Sequence, residues 1–164
     1  MKKNIQIGLG SLLLVLGVIL VACGPEARLD MVGMFAGTSP KIDERFEESK
    51  VYNDQHGFTT LQALMDDYRV YVCTDTHVTK TQTRWTYFID TYRKDPLCPV
   101  AVHLGDIIDA QNYFDEMYSA YQAVPLNPAK KDTLMAVAGN HDIYFKQWPE
   151  YIKYFKTCYY YFIV

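Results

Sequence analysis

The chain has 164 residues and carries 16 Lys and Arg against 19 Asp and Glu, a net charge of −3. That suits one domain and supplies no bulk positive charge for gripping a nucleic-acid duplex, so no duplex partner is expected. Apolar residues at 49% and charged residues at 21% are ordinary for a packed domain and exclude wholesale disorder, collagen and coiled coil.

In chain order, the first segment reads as an export signal. Lys2 and Lys3 precede an apolar stretch from Leu12 to Ala22 that ends in small residues. This stretch is shorter than the roughly 20 apolar residues of a membrane-spanning helix, which disfavours a transmembrane anchor. Leu20, Val21, Ala22 and Cys23 resemble a bacterial lipobox. That resemblance implies a signal peptide over residues 1–22, a lipid anchor at Cys23 holding the protein to a membrane, and a place in the bacterial cell envelope on a periplasmic or surface face. Residues 23–41 then form the lipidated Cys and a linker rich in Gly, Pro, Ser and Thr. Cys73, Cys98 and Cys158 are an odd, widely spaced set and make no disulfide framework.

Residues 42–68 are a lead-in segment in which Asp43 to Tyr52 predicts a short helix with Phe46 turned inward. Four short apolar runs of buried-strand type follow at 69–74, 99–104, 134–138 and 159–164. Between them Trp85, Phe88, Ile89 and Tyr92 recur at helical spacing, as do Phe114, Met117, Tyr118 and Tyr121. Pro149 is placed to open a third helix carrying Ile152 and Phe155. Strands alternating with helices predict an α/β sheet.

The residues that carry chemistry come directly after the strands. The first strand runs into Asp75 and His77, the second into Gly105, Asp106 and Asp109, the third into Gly139, Asn140, His141 and Asp142. In open α/β sheets ligands bind at the carboxyl ends of strands, so three distant segments converge on one crevice. Across a tight turn a carboxylate and an imidazole two residues apart can reach one metal ion. Asp106 adds a carboxylate able to bridge two cations, and the Asn140 amide oxygen is a neutral hard ligand. His141 is then available for proton transfer. His103, inside the second strand, is expected to be a satisfied structural histidine.

The order D-x-H, G-D-x-x-D and G-N-H-D, each after a strand, resembles the calcineurin-like metallophosphoesterases over residues 69–164. The steps from Asp75 to Asp106 and from Asp106 to Asn140 are 31 and 34 residues. The resemblance implies the N-terminal half of a two-layered β-sandwich flanked by helices, built from βαβαβ units. It also implies hydrolysis of a phosphoester substrate by two divalent metal ions, with Mn, Fe, Zn, Mg and Co all open. By carry-over Asp75 and His77 bind the first metal, Asp106 bridges, Asn140 binds the second, His141 is catalytic, and Asp109 and Asp142 orient these ligands.

Family members commonly carry further histidine ligands in a second half. Here the histidines are His56, His77, His103 and His141, and the last residues are Phe162, Ile163 and Val164. The expectation is therefore a partial, truncated domain. Taken singly, each motif also fits a plain structural role: Asp75 and His77 as helix caps, Asp106 as a turn residue, Asn140 in a left-handed turn. The alternative function is a non-catalytic envelope lipoprotein whose vestigial metal half-site binds a partner or ligand.

Overall fold

Runs of Val, Tyr and Ala make short strands because β-branched and aromatic side chains suit a half-buried pleated surface. The computed structural model describes residues 41–56, 67–109 and 113–160, with the backbone of 59–60 and 162–163. The expected leader, Cys23, nearly all of the linker and part of the lead-in lie outside the described residues. In chain order the elements are α1 (Ile42–His56), β1 (Thr59–Thr60), β2 (Val70–Cys73), α2 (Thr83–Lys94), β3 (Val100–His103) and α3 (Phe114–Ala123). They are followed by β4 (Leu134–Ala136), α4 (Asn140–Ile143), a 3-10 turn (Tyr144–Lys146), α5 (Trp148–Phe155) and β5 (Phe162–Ile163).

β2, β3 and β4 form a parallel sheet in that order, with Val70 opposite Val100 and Ala101 opposite Leu134. The central strand β3 is buried almost throughout, whereas β2 lies at the edge and alternates between exposed and half-buried residues. Period-2 alternation divides the sheet into two faces. On one, Ala101 and Ala136 pack with Trp85, Phe88, Ile89, Phe114, Met117 and Tyr151 from the helices, and this is the main core. On the other, Val100 and Met135 meet Val102 and Tyr160, while Val70 and Val72 of β2 remain exposed.

The helices hold the sheet through apolar stripes and a few buried polar ties. Trp85, Ile89 and Tyr92 of α2 are fully buried, and the Trp85 indole donates to Met117 O of α3 at 2.9 Å. Asp132, just before β4, accepts from Tyr92, Tyr121 and Arg93, which joins α2 and α3 to the sheet. In α5, Tyr151 is fully buried and its hydroxyl donates to Ala136 O at 2.6 Å. Among the described residues no helix is long and apolar enough to cross a membrane.

Two expectations change. Phe46 is half exposed and lies flat on Tyr159 instead of pointing inward. The residues α1 buries are Ser49 and Asn53, which bond to Thr157, Cys158 and Tyr159, while Glu48 accepts from the Trp148 indole. A helix without an apolar stripe docks through polar groups. The fourth expected strand is short, and β5 pairs in parallel with β1 in a separate two-stranded sheet.

Candidate metal centre

The backbone pairing of β2 with β3 continues past the ends of the strands. Asp75 N–H donates to Gly105 O at 3.1 Å, His77 N–H to Asp106 O at 3.2 Å and Val78 N–H to Ile107 O at 2.7 Å. The first two loops therefore run side by side, and side chains 31 residues apart in sequence rise from adjacent backbone. Asp75, His77 and Asp106 have φ of 55°, 44° and 53°. This left-handed region costs a non-glycine residue about 1–3 kcal/mol, and such strain concentrates at functional sites.

Two glycines bring the third loop in. Gly105 has φ of +103°, and a Cβ there would lie 2.7 Å from Gly139 N. Gly139 is extended, but a Cβ on it would lie 2.1 Å from Asp106 Oδ1. The Asp106 carboxylate thus rests against the start of α4, where Oδ1 accepts the His141 N–H at 3.0 Å.

On this scaffold the side chains converge. One ligand atom each from His77, Asp106 and His141 lies within 4.8 Å of the others. His77 Nε2 is 3.5 Å from Asp75 Oδ1, and its Nδ1 is 3.4 Å from Asp109 Oδ1. The His77 and His141 rings meet edge to face at 4.6 Å. His141 Nδ1 lies 2.7 Å from Asp109 O, a carbonyl that can only accept, so the proton sits on Nδ1.

Several partners set these groups in place. The Thr74 hydroxyl donates to Asp75 Oδ2 at 2.6 Å and holds that carboxyl below its usual range. Asp142 is fully buried; Oδ1 accepts from Ile107 N and Ile108 N at 2.9 and 3.1 Å, and Oδ2 from Gly139 N at 2.9 Å. Burial pushes its carboxyl up to about 7, against the pull of those N–H donors. Asn140 Nδ2 donates to the Tyr144 hydroxyl at 2.9 Å.

The donor set fits a divalent cation. Carboxylate oxygens and imidazole nitrogens suit Mn, Fe, Zn, Mg or Co. Among the described residues His77 Nδ1 is buried and makes no hydrogen bond, although it lies 3.4 Å from Asp109 Oδ1. A buried ring nitrogen without a hydrogen bond, beside the carboxylates of Asp75, Asp106 and Asp109, is an arrangement that a cation completes.

Beside His77 and Asp109 opens a cleft of about 330 Å³, lined also by Thr76, Thr79, Thr81, Thr83 and Arg84. It adjoins the cluster directly, since His77 and Asp109 belong to both.

Of the residues singled out from the sequence, Asp75, His77, Asp106, Asp109, His141 and Asp142 meet at one edge of the sheet. The Asn140 amide nitrogen is turned onto Tyr144. Sequence reasoning assigns no role to Thr74, Thr76, Arg84 or Tyr144. Position within the loop marked by Asp75 signals Thr74 and Thr76, position one turn beyond Asn140 signals Tyr144, and Arg84, nine residues past Asp75 in α2, carries no such signal.

No curated protein and no solved structure matches the chain. The family model described as calcineurin-like phosphoesterase matches residues 68–163, more than half of the 164. That span takes in β2, β3, β4 and each of the loops that bring His77, Asp106 and His141 together. The likeness in sequence thus covers the same segments that the fold gathers into one cluster, and the chain belongs to the calcineurin-like phosphoesterase family.

Proposed function

We propose that the chain hydrolyses a phosphoester at a metal centre held by the loops after β2, β3 and β4. The observation that carries this reading is the convergence of His77, Asp106 and His141, from three separate strand ends, within 4.8 Å. In the proposal Asp75 and His77 would hold one divalent cation, Asp106 would serve both it and a second, and Asn140 would contribute to the second. When bound there, such cations would supply an acidified water and offset charge on the phosphate oxygens.

The chain's own groups then orient and move protons. Asp109 O fixes the His141 ring through Nδ1; once Nε2 takes up a second proton from water, the imidazolium gives that proton to the departing ester oxygen or steadies charge on the phosphate. Asp142 pins the Ile107 and Ile108 N–H groups, so the turn carrying Asp106 cannot swing away. The cleft lined by Thr79, Thr81, Thr83 and Arg84 receives the organic part of the ester.

Metal analysis and hydrolysis of p-nitrophenyl phosphate and of its bis ester test the reading. Asp106→Asn is expected to lose metal and turnover together, with affinity falling by about 10- to 100-fold or more. His141→Ala is expected to keep its metal and lose about 10²- to 10⁴-fold in turnover. Unchanged hydrolysis in Asp106→Asn overturns the assignment, and loss of metal in His141→Ala makes that residue a ligand.

The same proposal sets the enzyme at the cell envelope, supported by the Lys2 and Lys3 leader and the sequence ending at Cys23. Mass spectrometry of the amino-terminal peptide from expressing bacteria is expected to show lipid on Cys23. An intact leader followed by unmodified Cys23 would sink the tether.

A further inference from the structure

His103, the last residue of β3, is fully buried, and both of its ring nitrogens are used. Nδ1 accepts the Gly105 N–H at 3.2 Å, which places the ring proton on Nε2. Nε2 therefore donates to Thr76 Oγ1 at 3.0 Å, and the Thr76 hydroxyl passes its own hydrogen to Ile107 O at 3.0 Å. Burial holds the imidazole down to about 4, so this neutral pattern persists at ordinary pH.

The placement of these bonds is specific. Thr76 stands between Asp75 and His77, and Gly105 and Ile107 flank Asp106. Asp75, His77 and Asp106, each next in sequence to a residue of this tie, are all held at positive φ, as is Gly105 itself; Phe145, Lys146 and Lys156 share that region outside the two loops. A left-handed residue persists only where its surroundings over-determine it. The backbone pairs along the two loops fix their spacing; the buried chain from His103 through Thr76 to Ile107 adds a side-chain tie across the same crossing.

We infer that the His103–Thr76 pair is a positioning device for the metal centre, keeping Asp75, His77 and Asp106 aimed at a common point through their backbone. Neither side chain reaches the ion in this account; both act through the loops they tie. The inference rests on the metal-centre reading above.

Co(II) titration of the full chain tests it, followed by visible absorption and by thermal unfolding in parallel. Thr76→Val keeps the shape and deletes the hydroxyl, whereas Thr76→Ser keeps the hydroxyl. The expected result, well below the unfolding temperature, is about a tenfold or greater loss of Co(II) affinity and an altered ligand-field band in Thr76→Val. Thr76→Ser should stay within about twofold of the unaltered chain, a rescue that a mere packing role does not require. Thr76→Ala serves if the valine variant does not fold. A folded hydroxyl-less variant with unaltered affinity and spectrum overturns the inference alone. Failure of the unaltered chain to bind Co(II) overturns the metal reading, and this inference with it.

Discussion

Gly139 has φ of −87°, open to any L-residue, so its need for hydrogen in place of a side chain is steric. A methyl group would meet Asp106 Oδ1 at 2.1 Å and Asp106 N at 2.3 Å, and backbone nitrogen cannot step aside as a flexible side chain can. Gly139→Ala is therefore expected to push the second and third loops apart. The cost is about 1–3 kcal/mol of stability, as for other overpacked sites. Metal affinity should fall about tenfold or more, read by titration with Mn(II) or Co(II). Affinity and unfolding midpoint both unchanged would contradict the close approach. At this scale the sequence shows the chemistry better than the geometry that arranges it. Asp75, His77, Asp106 and His141 stand out because ligand-type residues recur after three apolar runs. The left-handed backbone at Asp75, His77 and Asp106 is hidden, since none of the three is glycine and the strain is imposed by the paired loops around them. Thr76 is hidden for a similar reason: a threonine in a loop has no distinguishing mark until a buried histidine from another strand reaches it.

Among the elements, those with a strong apolar period are legible and those held by polar ties are not. The stripe of Trp85, Phe88, Ile89 and Tyr92 is entirely buried in α2. The corresponding stripe of α3 buries Phe114 and Met117 but leaves Tyr118 largely exposed, stacked with Tyr121 and close to Tyr154. In α1 the sequence offers Phe46 as the obvious anchor, yet small polar Ser49 and Asn53, one turn apart, make the contact because their hydrogen bonds need close approach. Strand β2 poses a different problem. It is an edge strand, and Val70 and Val72 are exposed at 38% and 59% on its open face. Apolar edges invite pairing with another chain. The double variant Val70→Thr with Val72→Thr keeps β-branched side chains and removes two apolar ones, so the strand should persist. Analytical ultracentrifugation is expected to show weaker concentration-dependent association in the variant. Association equal to that of the unaltered chain would show that this edge is not the adhesive surface.

For the whole molecule, the sheet divides two tasks between one face and its strand ends. The helical face carries Trp85, Tyr92 and Tyr151, each fully buried, and supplies most of the apolar burial. The strand ends, supported by that rigid face, carry the strained loops and their charges. Burying a large aromatic side chain is worth several kcal/mol, the same order as the net stability of a domain. Three left-handed residues and a cluster of carboxylates can therefore persist at one edge. The docking of α1 has a consequence in time. Its anchors, Ser49 and Asn53, meet Cys158 and Thr157 across 109 and 104 residues of chain, and β1 and β5 pair across a similar span. Contacts so far apart in sequence close slowly, because the loop between them must be ordered before they give any return. During synthesis the segment from Ile42 to His56 leaves the ribosome among the first of the described parts, yet its Ser49 and Asn53 lack these partners until Thr157 to Tyr159 has followed. Among the described residues the first helix to be made is thus among the last to settle, and for that interval Ser49 and Asn53 wait in water.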